Sequence, residues 1–287
     1  MTAPADPPEV PDALAWWAEH PDGAAWLERL PDLIAACAAQ WDLRIGEPFD
    51  GRVSYVSRAT TEAGTPVVLK LNFPEAETEH EADALGHWDG QAAVRLLARD
   101  RERHALLLER CTPGDLPAPE QADRVVADVL TRLHRTLPAS DHPFRTLEHA
   151  AAEWAEHAVA DWVRLAHPFP RRLLDEALGL MEELLADAPE DKVLCHQDLH
   201  HGNVLRRGDE WIAIDPKPLA AERAFDLVGA LRHQPTRQRL DFFADALDLD
   251  RERVRGWALA HAIAWCFQGD GVLLGHVAAA RALSACR

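Results

Sequence analysis

No uninterrupted apolar stretch in the 287 residues approaches the roughly 20 that a helix needs to cross a bilayer, so no membrane span is expected. The start, MTAPADPPEVPD, has no basic segment leading into an apolar one, and a cytoplasmic protein is expected. The five cysteines, at 37, 111, 195, 266 and 286, form no CxxC pair and no even framework. That argues against structural zinc and a disulfide scaffold and fits reduced thiols. Positive charge is scarce: 30 Lys and Arg stand against 48 Asp and Glu, a formal balance of −18. Such a surface repels phosphate backbones and anionic lipid, so neither nucleic acid nor membrane is an expected partner. It suits solubility, or a cationic small molecule.

What is present belongs to an ordinary globular protein, with 47% apolar and 27% charged residues. The length allows one large domain or two modest lobes. The Pro-rich, acidic opening twelve residues are expected to be frayed. Then "DALAWWAEH" and "GAAWLERLPDLIAACAAQW" place Leu14, Trp17, Trp26, Leu30, Leu33, Ile34, Cys37 and Trp41 at helical spacing, with Pro21 and Pro31 punctuating the segments. These tryptophans read as core rather than as a ligand platform.

From about residue 43 the pattern becomes strand-like: "LRIGEPF", "RVSYVSRAT" and, after the turn "EAGT", "PVVLKLNF". "EAETEHEADALGHW" predicts a helix, and "AVRLLARD" and "HALLLERC" two more strands about the turn "DRER". Beyond residue 118 nearly everything is helical in pattern, apart from brief strands at "KVLC", "NVLRR" and "WIAID". There is no internal repeat and no low-complexity linker.

Residues 193–203, "VLCHQDLHHGN", concentrate the chemistry. Asp198 and Asn203 lie five apart on a segment too irregular for a helix, and Asp215 ends the strand of "WIAIDPKP". Three oxygen-bearing side chains so placed suit Mg²⁺ and a phosphate, because Mg²⁺ takes a few hard oxygen ligands and completes its shell with water and phosphate oxygens. A carboxylate beside them can accept the proton of an attacking hydroxyl. Two other readings remain beside this one. His196, His200 and His201 form an H-x-D-x-H-H cluster that would suit a zinc metallohydrolase, although no further ligand at zinc-like spacing follows. Cys195 next to His196 has the composition of a nucleophile pair, but neighbouring strand residues point to opposite faces, and a buried thiol is expected.

The spacing His-x-Asp-x-x-x-x-Asn followed by a strand ending in Asp is that of kinases with the protein-kinase-like fold. Lys70 in the third strand and Glu81 in the following helix stand in the matching order. "CHQDLHHGNVL", "WIAIDPKPL", "AFDL" and "VVLKLNFPEAETEHEADAL", with the Trp-rich helical extension, resemble the aminoglycoside phosphotransferase superfamily and, within it, the streptomycin 6-kinase and hydroxyurea phosphotransferase group. The resemblance runs from about residue 10 to the end.

It implies an α+β, protein-kinase-like fold of two lobes. Residues 1–110 would form a five-stranded antiparallel N-lobe with the extension, and 111–287 a mainly helical C-lobe, with ATP and Mg²⁺ in the cleft and a monomer expected. Asp198 would be the catalytic base, and Asn203 and Asp215 would hold the metal. Lys70 would bind the α- and β-phosphates with Glu81 positioning it, and the backbone of Glu109 to Cys111 would meet adenine. His196 and Asp226 would brace the catalytic loop. Two departures stand out. The phosphate-covering turn "FDGRVSYV" offers Gly51 and Ser54 but no GxGxxG, and the metal loop reads DPK where protein kinases have Asp-Phe-Gly. The implied acceptor is streptomycin-like and cationic; another amino sugar or hydroxyurea is the alternative, and a nucleotide-binding pseudokinase a more distant one. Candidate acceptor-binding carboxylates are Glu153, Asp241 and Asp270, with Glu156, Asp161 and Asp245 behind them.

Overall fold

The computed structural model describes residues 10–51, 53–137 and 141–286. The chain divides into two compact units, Met1–Gly114 and Asp115–Arg287. Nine of the twelve opening residues expected to be frayed lie outside the described residues.

In the first unit the Trp-rich segment forms a 3-10 helix, Asp12–Glu19, followed by α1, Pro21–Gln40. Pro21 sits at the start of α1, where its missing N–H is no loss. Pro31 was expected to punctuate this stretch but lies inside one continuous helix. The hydrogen bond it forfeits is outweighed by the face around it, since Leu30, Ile34 and Cys37 are fully buried. They pack with Leu14, Trp17 and Trp26 against Tyr55, Leu69 and Leu71 of the sheet.

That sheet contains β1 (Leu43–Pro48), β2 (Tyr55–Thr61), β3 (Pro66–Leu71), β4 (Leu96–Asp100) and β5 (Ala105–Glu109). Its order is β1-β2-β3-β5-β4, antiparallel throughout. Helix α2 is shorter than its pattern predicts, Glu81–Trp88. The preceding residues turn instead, because Thr78 Oγ1 donates to the carbonyls of Phe73 and Glu75 just after Pro74.

The second unit is built on α3 (Ala122–Leu133), α4 (Leu147–Arg164) and α5 (Arg171–Ala186). Strands β6 (Val193–Cys195), β7 (Val204–Arg207), β8 (Glu210–Ala213) and β9 (Leu219–Ala221) follow. A 3-10 turn, Arg223–Leu227, leads into α6 (Val228–Arg232), α7 (Arg237–Leu247) and α8 (Arg251–Ala264). A hairpin of two residues per strand, β10 (Phe267–Gln268) with β11 (Gly271–Val272), precedes α9 (Leu274–Ser284). Helix α8 is buried along most of its length and packs on α5, α6 and α9. Asp250 caps it by accepting from Arg253 N at 2.7 Å. Arg253 in turn pairs with buried Glu222, which also accepts from Trp257 Nε1 at 2.7 Å. Two short ladders frame residues 196–203: β6 with β9, and β7 with β8. Among the described residues no helix is long and apolar enough to cross a membrane.

Candidate active site

In the first unit, β3 and the residue just after it place Lys70 and Asn72 on one face, two residues apart. Lys70 Nζ reaches Glu81 Oε1 at 2.6 Å, and Asn72 Nδ2 donates to Glu81 Oε2 at 2.7 Å. Asn72 Oδ1 accepts from Ser54 Oγ at 2.7 Å. All four side chains are buried, so each charge and polar group is answered by the next. A single chain of bonds thus runs from the turn between β1 and β2, through Asn72 and Glu81, to the lysine.

The same turn is held from outside by the extension: Trp17 Nε1 donates to Val53 O at 2.9 Å, and its ring stacks on Phe73 at 4.0 Å. Gly51 is required here, because a Cβ at that position would fall 2.7 Å from Ser54 O. Glu109 ends β5 with its carboxylate accepting from Arg95 N at 2.8 Å. Cys111 is buried in the turn that follows, where Gly114 adopts the left-handed backbone at φ 79°.

In the second unit, residues 196–203 form a loop fixed at nearly every residue. His196 is fully buried and donates from Nε2 to Ile214 O at 2.9 Å, while its own carbonyl accepts from Asp198 N and Lys217 N. Gln197, at φ 66°, gives its N–H to Asp226 Oδ1 at 2.6 Å. Asp226 Oδ2 accepts from His134 Nε2 at 3.0 Å. Burial pushes the Asp226 carboxyl up, but His134, His196 and the Gln197 N–H together hold it below the ordinary carboxylate value. Asp226 therefore braces the loop as an anion.

Asn203 Nδ2 donates to Asp198 O at 2.9 Å. Val204 pairs with Ala213 across the β7–β8 hairpin, and Ile214 N donates to Asn203 O at 2.9 Å. Asn203 and Asp215 are thereby brought to the open end of one hairpin. Asp215 does not end β8 as expected: the strand stops at Ala213 and Asp215 follows with φ 59°, a left-handed conformation that aspartate tolerates. The Asp198 side chain is ion-paired with Arg232 at the end of α6.

Of the three histidines in the cluster, His196 and His200 are otherwise engaged and His201 is exposed. His200 Nδ1 accepts from Gly202 N at 3.0 Å, and burial lowers its pKa to about 4. Cys195 is fully buried and its thiol is pushed well above the ordinary range, by burial first and then by Asp226 and Glu222. It is no nucleophile in this setting.

The weaker carboxylates are scattered and answered by arginines. Glu153 pairs with Arg145 and His149, Asp241 with Arg251, and Asp161 with Arg164. Asp270, exposed at the tip of the β10–β11 hairpin, also lies 3.5 Å from Arg164. Glu156 is exposed on α4 and Asp245 on α7. The sequence reading did not single out Asn72 or Arg232, and it took Trp17 as core, which it is, without its hydrogen bond to Val53. Period-two spacing from Lys70 would have revealed Asn72; nothing local marks Arg232.

The fold is the protein-kinase-like one. The chain is similar to a choline kinase from Streptococcus pneumoniae, with TM-score 0.65 and 14% identity over 90% of this chain and 99% of that one. It is similar to an aminoglycoside phosphotransferase in ternary complex with ADP and hygromycin B, with TM-score 0.63 and 14% identity over 88% and 95%. Closer likeness lies in sequence. A streptomycin 6-kinase of Streptomyces griseus is 36% identical over 272 residues, 88% of this chain and 87% of that one. A hydroxyurea phosphotransferase of Kitasatospora aureofaciens is 37% identical over 256 residues, 85% and 74%. Residues 40–269 match the family described as aminoglycoside/hydroxyurea antibiotic resistance kinase, and the chain belongs to that family.

Proposed function

We propose that the protein transfers the γ-phosphate of ATP to a hydroxyl of an aminoglycoside-type, cationic acceptor, with streptomycin as the leading example, and so serves antibiotic resistance. The observation that carries this reading is the tie between Asp198 and the β7–β8 hairpin: Asn203 holds the Asp198 backbone while standing beside Asp215 at the hairpin's open end. The named activities of the Streptomyces griseus and Kitasatospora aureofaciens relatives support the reaction class, and the ADP-bound and AMP-bound neighbours support nucleotide use.

In the reaction, the acceptor oxygen forms a bond to the γ-phosphorus as the bond to the β–γ bridging oxygen breaks, leaving its electron pair on ADP. The acceptor proton passes to the Asp198 carboxylate. Lys70, kept rigid by Glu81, would hold the α- and β-phosphates, and the turn with Gly51 and Ser54 would cover them. The backbone from Glu109 to Cys111 would take the adenine edge.

Asn203 spends its Nδ2 on the Asp198 carbonyl, so its Oδ1 is the atom left for a cation, to which Asp215 would add a carboxylate. One amide oxygen and one carboxylate fit Mg²⁺, which keeps water and phosphate oxygens in its shell. They do not make the nitrogen- and sulfur-rich shell of zinc, and among the described residues no group of three or more His, Cys, Asp or Glu is placed to hold a metal. Bound there, Mg²⁺ would neutralise charge building on the phosphates.

A smaller, neutral acceptor such as hydroxyurea is the second reading. It is favoured by the pairing of Glu153, Asp161, Asp241 and Asp270 with arginines, which blunts their attraction for a cation. Coupled ADP release measured with streptomycin, other aminoglycosides, amino sugars and hydroxyurea separates the two.

A further inference from the structure

A guanidinium stays charged at any working pH and carries five N–H donors, so one that is buried calls for anionic partners. Arg232 is 7% exposed, and its one carboxylate partner among the described residues is Asp198, which Nη2 meets at Oδ1. Nη1 is buried and has no hydrogen-bond acceptor among the described residues. The guanidinium carbon lies 5.3 Å from the centroid of the Trp265 ring.

His233, His261 and His276 all sense the charge of Arg232, and all three are held below the ordinary imidazole value, by burial first and by the arginine's charge next. None supplies a negative charge. Arg232 is also closely placed: one turn earlier on α6, Gly229 packs on the catalytic loop so tightly that a Cβ would fall 2.6 Å from Leu199 N and 2.7 Å from Asp198 C. Residues three apart share a helix face, so the helix that touches the loop backbone through Gly229 also delivers Arg232 to the Asp198 carboxylate.

We propose that Arg232 is a catalytic residue: Nη2 fixes one oxygen of Asp198, leaving the other for the acceptor hydroxyl, while Nη1 donates to a non-bridging oxygen of the phosphoryl group in transfer. The proposal rests on the kinase reading and deepens it. As the acceptor proton reaches Asp198, the anion beside Arg232 is neutralised. The charge it loses passes to the departing ADP, while the phosphoryl group stays anionic throughout, and the free donor is the group that meets its oxygens. A planar fork that bridges two oxygen acceptors is what arginine supplies and lysine does not.

The test compares wild type with Arg232→Met, Arg232→Lys and Arg232→Ala, using ATP and ATPγS and reading both acceptor phosphorylation and the slow hydrolysis that uses water as acceptor. Arg232→Met is expected to lower kcat by about 10²- to 10³-fold with KM for ATP changed by less than about threefold. Its ATP-to-ATPγS rate ratio should shrink towards unity, because the contact sensitive to a non-bridging sulfur has gone. Added guanidinium ion should restore part of the Arg232→Ala rate. A purely structural ion pair would slow ATP and ATPγS by the same factor, and that unchanged ratio, or an Arg232→Met kcat near wild type, would overturn the proposal. If Arg232→Met does not fold, the ratio in Arg232→Lys decides in the same way. Wild type that turns over neither acceptor nor water would instead overturn the kinase reading itself.

Discussion

Gly229 and Asp198 are packed so closely that a single methyl on the glycine would lie 2.7 Å from the Asp198 carbonyl carbon. The glycine is needed for contact rather than for an unusual backbone, since it lies within α6. Gly229→Ala should push the helix off the catalytic loop. The expected result is a loss of about 1–3 kcal/mol in unfolding free energy, with kcat falling more than KM for ATP rises. Urea denaturation and steady-state kinetics measure both; unchanged kinetics would mean the loop does not depend on α6.

The buried chain Lys70–Glu81–Asn72–Ser54 predicts strong coupling. Asn72→Leu leaves Glu81 Oε2 and Ser54 Oγ without their partner, and removing one member of a buried polar set costs about 1–3 kcal/mol. KM for ATP should rise with it. Lys70→Ala and Glu81→Ala should combine to less than the sum of their separate losses in kcat, and strict additivity would show that the pair does not act as a unit.

Trp17→Phe removes the hydrogen bond to Val53 while keeping an aromatic ring against Phe73. A stability loss of about 0.5–1.5 kcal/mol is expected, together with weaker nucleotide binding, because the turn that carries Gly51 and Ser54 loses its external tie. Titration with a fluorescent ATP analogue tests the second part. Nucleotide affinity equal to wild type would confine the extension to folding.

Acid should destabilise the protein in a defined window. Burial, then the charge of Arg232, holds His276 at about 4 against an ordinary 6.5, and burial and Arg232 hold His261 well below 6.5. Unfolded, both histidines take up a proton near 6.5; folded, they stay neutral. Their contribution is therefore complete above about pH 6.5 and is lost as pH falls towards 4, at up to about 1.4 kcal/mol per pH unit for each group. Urea midpoints measured across that range should fall, and His276→Gln should flatten the slope. A midpoint that is constant from neutral pH to about 4 would contradict this.

Much of this was legible in the sequence because it is local. β-rich runs set off by turns mark β1 to β5, and the five-residue step from Asp198 to Asn203 survives as a loop anchored to one hairpin. Lys70 and Glu81 were readable from their order and meet at 2.6 Å. What escaped is long-range or short. Arg232 lies 34 positions from Asp198 and Trp17 lies 36 from Val53, separations at which no periodic pattern carries information. Strand β9 and the β10–β11 hairpin have only two or three residues per strand, too few to alternate. Pro31 misleads because a local breaker is overridden by the apolar face of α1.

The measurement that bears most directly on the central claim is phosphorylation of streptomycin by wild type and by Asp198→Asn, with Mg²⁺ and ATP, followed by ADP release and by mass spectrometry of the acceptor. Wild type should yield an acceptor carrying one added phosphoryl group. The Asn variant should bind ATP with little change while kcat drops by about 10²- to 10⁴-fold, since it keeps the shape of the loop but cannot take the hydroxyl proton. Turnover by Asp198→Asn at close to the wild-type rate would contradict the account.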